Sequence, residues 1–386
     1  QHDGFLGFFH DYLRRAVEQR YAFDEQNKRS VHRHLVEYFQ GIVYASIAQS
    51  RNVSRRMAGE LAYQLQAAGE LDLLRECLST MEVFLSLYDG DTQYEVMTYW
   101  STLVEGHDIE TSYRRGIERW EVNSAERSVG VGRVAHLLRR LGRWSGAIEL
   151  ERERLSLSIA RSDRGEEAAS RQSIGGLLVL QGEYSEAREE LSRALELFTE
   201  LGDRRGISGA NRDLGILYYG RGEYDLALEC YEHQLRICEE LDDRRGASDA
   251  IAGMGHVFFS RGEYDRALEC YQRRLTLSEE LDDRLGVAGT LHNVGNVFQQ
   301  QRRLREALLH YERALDINTS LGNRQWVAYN LGEIGSVHVG LAEYEHALES
   351  IQRKVRINEE MGDRTGAAVG IGNIGEIHFN LGEYEQ

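Results

Sequence analysis

The sequence predicts an all-α fold, a superhelical stack of helical hairpins preceded by an irregular helical region. Three observations predict it. RGEYDLALECYE at 221–232 and RGEYDRALECYQ at 261–272 are nearly the same twelve residues, forty positions apart. Four separate columns of residues share that forty-residue step. Between the columns, apolar residues recur at i, i+3 and i+4, the spacing of one helix face.

The columns set the register. Ala147, Ala187, Ala227, Ala267, Ala307 and Ala347 form the first. Three residues earlier stand Trp144, Tyr184, Tyr224, Tyr264, Leu304 and Tyr344, with Tyr384 opening a further copy. Gly175, Gly215, Gly255, Gly295, Gly335 and Gly375 make the third column, and Arg164, Arg204, Arg244, Arg284, Arg324 and Arg364 the fourth. Within 248–287, Ile251, Met254, Val257 and Phe258 mark one helix, and Tyr264, Ala267, Leu268, Tyr271, Leu275 and Leu277 mark another. Gly262 falls where a helix end takes a left-handed residue, and Asp283 where a side-chain oxygen caps the next helix. Gly255 and Ala267 carry no bulk, so the two helices can approach closely. One hairpin cannot bury both of its faces, and stacking on neighbours solves that. Complete absence of proline suits such continuous helix. These repeats occupy residues 128–386 as six copies and a partial seventh.

Residues 1–125 read as helical but out of register. FLGFFHDYLRRAVEQRY is amphipathic, and Asp24 stands as the N-cap of a helix running through VHRHLVEYFQ. MAGELAYQLQAAGELDLLRECL and MEVFLSLYD give further hairpins, with YEVMTYW closing the region.

The repeat residues resemble the tetratricopeptide repeat (TPR), whose L-G-x-x-Y…A-x-x-x-[FY] pattern stands here as Leu214, Gly215, Tyr218, Ala227 and Tyr231. The forty-residue form, with L-x-D-R-x-G in place of a proline turn, is similar to the repeats of Pins-type scaffolds. That resemblance implies a right-handed solenoid that binds proteins or peptides in its concave groove. Phe9, His10, Asp11, Tyr12, Leu13, Arg14, Ala16 and Val17, followed by Glu60, Leu61, Ala62, Tyr63, Gln64 and Leu65, resemble the segment after the NACHT module of nephrocystin-like STAND NTPases. It implies an NTPase module ahead of Gln1, and the chain opens without methionine and stops inside a repeat motif, as a fragment would.

No catalytic chemistry stands out. The chain has only two lysines, Lys28 and Lys354, and neither sits in a phosphate-binding loop. GIGNIG at 370–375 matches a dinucleotide fingerprint, but such a fingerprint works between a strand and a helix, and here helices flank it. GVGRVA at 130–135 fails for the same reason. His32 and His34, two apart, point to different helix faces. We therefore expect no enzyme activity, no cofactor and no metal in this chain. The net charge of −17 argues against a nucleic-acid partner, and no apolar run is long enough for a membrane span. The four cysteines form no CxxC pair and read as thiols of a reducing, cytoplasmic compartment.

Function is expected on the inner wall, formed by the first helix of each hairpin. Counted from the glycine column, its positions hold Arg212, Asp213, Ile216 and Tyr219, then Asp249, His256 and Phe259. His292, Asn293, Asn296 and Gln299 follow, then Tyr329, Glu333 and Ser336, and finally Asn373, Glu376 and Phe379. Asn and Gln carry both donor and acceptor and can pair with an extended peptide backbone. The expected partner is a protein or peptide, with the chain serving as the ligand-sensing arm of a STAND NTPase or, alternatively, as a free-standing Pins-type scaffold. The recurring arginine is expected to bond the last carbonyls of the preceding helix rather than a ligand.

Overall fold

The computed structural model describes residues 25–49, 52–88, 93–103 and 108–382. These contain nineteen α-helices and, among the described residues, no strand. The chain divides into two compact units, Gln1–Gln181 and Gly182–Gln386.

In the first unit, α1 (Glu25–Ala48) packs against α2 (Arg55–Ala68). Gly69, with φ of 76°, ends α2 in the left-handed conformation that glycine adopts without strain. Three short helices follow, α3 (Leu71–Ser79), α4 (Met81–Leu87) and α5 (Gln93–Thr102). A helix that the sequence pattern did not single out, α6 (Ile109–Arg119), completes this part, capped by the Asp108 carboxylate on the Glu110 amide. Its Tyr113 is fully buried against Phe84, and the Trp100 indole donates to the Tyr113 hydroxyl at 3.1 Å. The amphipathic segment around Phe5–Val17 and the Asp24 cap lie outside the described residues, as does Tyr384.

The repeat pattern is entered at α7 (Ser124–Arg140), whose N-cap Asn123 accepts from the Ala125 and Glu126 amides. Next come α8 (Trp144–Ala160) and α9 (Arg164–Gln181). The second unit continues with α10 (Tyr184–Leu201) and then four helical hairpins and a closing helix. The hairpins are α11 (Arg204–Gly220) with α12 (Tyr224–Glu240), α13 (Arg244–Ser260) with α14 (Tyr264–Glu280), α15 (Arg284–Gln300) with α16 (Leu304–Ser320), and α17 (Arg324–Gly340) with α18 (Tyr344–Met361); α19 (Arg364–Leu381) closes the unit. Within this second unit each helix packs on the next in chain order.

The columns explain this packing. All six alanines of the first column are 0% exposed. A Cβ built on Gly215, Gly255 or Gly295 would lie 2.6 Å from the ring of Tyr231, Tyr271 or Tyr311, so only glycine lets each ring lie flat on the facing helix. In the next repeat Ile351 takes the place of the tyrosine and fills the same contact with Gly335. Gly375 has no such neighbour among the described residues.

Turn chemistry repeats as well. Asp203, Asp243, Asp283 and Asp363 each accept from the amide of the glycine three residues on, satisfying a donor that every helix start leaves open. That glycine makes room for the cap: a Cβ at Gly286 would come within 2.2 Å of the Asp283 carboxylate. The arginine column is structural, but its partner differs from the expected carbonyls. Arg204, Arg244 and Arg324 pair with the carboxylates of Glu240, Glu280 and Glu360, and Arg284 donates to Ser320 Oγ at 3.0 Å. Each ties the start of a first helix to the end of the second helix of its own hairpin. The cysteines are free; Cys77 and Cys238 are buried, and burial pushes the Cys77 thiol up to about 12.

Candidate peptide-binding wall

The expected wall residues all lie in the second unit, on α11, α13, α15, α17 and α19. First helices of successive repeats touch directly, as α11 does α13. A seam of polar contacts runs across them. Tyr219 Oη meets Ser260 Oγ at 2.9 Å, Asn293 Nδ2 meets His256 Nε2 at 3.0 Å, His292 Nδ1 meets Asn330 Oδ1 at 3.0 Å, and the Gln299 amide donates to Ser336 Oγ at 3.3 Å. Each of these contacts bridges two adjacent repeats.

The same contacts already engage part of the amides of Asn293 and Asn296, the donor of the first and the acceptor of the second. Asn293 donates to His256, which makes Nε2 the acceptor and places the ring proton on Nδ1. Asn296 faces inward: its Oδ1 and Gln299 Oε1 both lie 2.6 Å from the Tyr311 hydroxyl and share its single hydrogen. Tyr311 is fully buried and its hydroxyl needs that acceptor. Asn296 therefore contributes to the hairpin's core as much as to the wall.

Charge on the wall is mixed. Arg212 pairs with Asp213 at 2.9 Å. Desolvation raises the Asp249 carboxyl above its ordinary value, opposed by the guanidinium groups of Arg274 and Arg212. Burial, assisted by the charge of Arg274, lowers His256 from 6.5 to about 4, so the ring is neutral at pH 7. Tyr311 is raised by burial and by the carboxylate of Glu333. Asn373 is half-buried and Glu376 is exposed. Four apolar side chains stand exposed at wall positions: Ile216, Tyr329, Val369 and Phe379.

Pattern reading missed two cations that come from second helices. Arg274 on α14 acts electrostatically on both Asp249 and His256, and its buried Nε has no hydrogen-bond partner. Lys354 on α18 places Nζ 3.0 Å from where a Cβ on Gly332 would sit, so it reaches the wall across a residue without a side chain. No periodic signal could have found them, because the same column holds Gln234 and Ala314 in other repeats. A separate open depression of about 610 Å³ lies between α10 and α12, lined by Leu195, Thr199, Leu226 and Cys230, away from the expected wall residues.

Among the described residues no helix is long and apolar enough to cross a membrane. His32 and His34 do go separate ways, the first to Gln64 Oε1 at 2.6 Å and the second to the Ser30 carbonyl at 2.8 Å.

Comparison with known proteins places these features. The tetratricopeptide repeat family model matches residues 206–280 and 286–360. A TPR repeat-containing protein of Dictyostelium discoideum is 23% identical over 197 residues, which are 47% of this chain and 11% of that protein. A Signal Transduction ATPase with Numerous Domains (STAND) carrying a tetratricopeptide repeat sensor, from Pyrococcus horikoshii, aligns with a TM-score of 0.59 at 14% identity. That alignment covers 93% of this chain and 50% of the other. The apo quorum sensor NprR of B. thuringiensis aligns with a TM-score of 0.56 at 15% identity, covering 96% of each chain. A Rap protein complexed with Competence and Sporulation Factor aligns at 0.51 and 12% identity, over 86% of this chain and 99% of that one. The chain thus spans about half of the STAND protein and a ninth of the curated relative. At these identities the structural matches establish the fold alone, an all-helical one whose residues 206–280 and 286–360 are tetratricopeptide repeats.

Proposed function

We propose that the chain is a protein- or peptide-binding module, that its partner docks on the first-helix wall, and that it serves as the ligand-sensing arm of a STAND-type NTPase in the cytoplasm. The observation that carries the binding reading is the composition of the wall. Exposed Ile216, Tyr329, Val369 and Phe379 alternate with a seam of amides, imidazoles and paired charges. Large apolar anchors within a hydrogen-bonding surround are what a peptide interface needs. Two similar folds agree with it, one a quorum sensor and one a protein in complex with Competence and Sporulation Factor.

A library of random peptides displayed on phage and selected on the purified chain tests the binding reading. Enriched peptides should lose at least tenfold in affinity on Tyr329→Asp or Ile216→Asp, two surface changes that leave the core intact. Failure to enrich, or equal binding to the variants, contradicts it. The STAND reading rests on the match across half of that protein, and the second reading is a free-standing Pins-type scaffold. The sequence of the full gene separates them: a phosphate-binding loop upstream of residue 1 supports the NTPase arm, and its absence supports the scaffold.

A further inference from the structure

Hairpin α17–α18 departs from its sisters at its turn. In α13–α14, Phe258 near the end of the first helix is covered by Arg266 on the second, the guanidinium 3.9 Å from the ring centre. In α15–α16, Phe298 is covered by Arg303 at 4.3 Å. At the register of Phe258 and Arg266, α17–α18 carries His338 and His346, their rings stacked with centres 5.3 Å apart, whereas Arg303 stands at the register of Glu343. An aromatic–cation packing pair has been exchanged for two imidazoles. Glu343, the residue preceding α18, completes the group, with Oε2 2.8 Å from His338 Nδ1.

We propose that His338, Glu343 and His346 bind a divalent d-block cation of the Zn²⁺ type. One ligand atom from each lies within 4.8 Å of the others. Imidazole nitrogens with one carboxylate favour zinc, copper or nickel over calcium and magnesium, which take oxygen ligands. Bonds of about 2.0–2.1 Å in a tetrahedron put neighbouring ligand atoms roughly 3.3 Å apart. His338 and Glu343 already stand closer than that, and the metal would replace their hydrogen bond. His346 is exposed, so its ring can swing inward without disturbing the core. Glu343, the N-cap of α18, and His346 in its first turn are three apart in sequence; His338 reaches them across the turn. Arg305 lies 3.6 Å from the other oxygen of Glu343 and is 80% exposed, so it can withdraw when a cation binds. Three protein ligands leave a fourth position open to water or to a ligand side chain from a docked partner. The bound ion would join α17 to α18, the two helices that frame Tyr329 and Lys354.

The control is built into the array. The double variant His338→Phe with His346→Arg restores the pairing seen at Phe258 and Arg266 and removes both imidazoles. The chain is stripped with EDTA, and Zn²⁺ is titrated by calorimetry into the wild type, the double variant and His346→Gln. The wild type should bind one equivalent more than the double variant, and His346→Gln should weaken that equivalent at least tenfold. His346→Gln alters one exposed side chain, so it decides the matter if the double variant misfolds. Equal stoichiometry and affinity in wild type and His346→Gln, or no calorimetric binding by the wild type, overturns the proposal.

Discussion

Two faces of the same helices obey different rules. On one side of α13 and α15, Gly255 and Gly295 meet Tyr271 and Tyr311 at the same close approach. One residue further along the roles diverge: His256 lies beside the Tyr271 ring and bonds across to Asn293 of the next repeat, whereas Asn296 accepts from the Tyr311 hydroxyl of its own hairpin. Where a Cβ would sit 2.6 Å from a buried ring, geometry leaves a single choice. Where the side chain reaches across to the next repeat, any pair that can share a hydrogen bond will serve, and the array varies it: Tyr219 with Ser260, His256 with Asn293, His292 with Asn330. The packing face specifies how hairpins nest, and the seam is free to carry recognition.

The largest way to break that contrast is Gly255→Leu. Overpacking against Tyr271, which is 1% exposed, should cost about 3 kcal/mol or more, read as a lower denaturation midpoint in urea. A comparable side chain placed at Ile216, on the wall, should leave the midpoint unchanged.

The next effect belongs to the seam and depends on pH. His256 is held near 4 in the folded chain and takes its ordinary value near 6.5 when unfolded. The unfolded state therefore binds the proton first, and stability present above pH 6.5 is lost as pH falls toward 4, by up to about 3 kcal/mol. His256→Asn should flatten that slope, measured by melts of residues 182–386 within the full chain. Glu151, in the first unit, works in the opposite sense. Burial raises it from 4.5 to about 7 despite Arg154, so its contribution falls as pH rises through that window. Glu151→Gln should remove this trend.

Smaller effects sharpen the line between the faces. Asn296→Ala should destabilise by about 1 kcal/mol, because Gln299 remains to accept from Tyr311. Arg302, exposed and held at φ of 60° where sister turns have Gly222 and Gly262, offers the smallest test. Arg302→Gly should stabilise by about 0.5 kcal/mol through relief of left-handed strain.

The same contrast explains what the sequence made legible. Ala267, Gly255 and Asp283 recur at fixed steps because each is dictated by contact or capping geometry, and periodicity exposes such residues. Helix α6 carries no repeat column, so nothing in the pattern marked it, although Tyr113 at its heart is fully buried. At the wall, counting from the glycine column picked out positions on the first helices, yet it could not tell that Asn296 turns inward to Tyr311 while Asn293 bonds across to His256. Partner choice among hydrogen-bonding side chains depends on the neighbouring repeat, forty residues away, and no local spacing encodes it. Arg274 and Lys354 escaped because they reach the wall from second helices.

Hydrogen exchange of the chain with and without a selected peptide tests the division of labour most directly. Slowed exchange in α11, α13, α15 and α17, with α12, α14, α16 and α18 unaltered, is the predicted result. Protection confined to those second helices would place recognition on the other face and contradict the account.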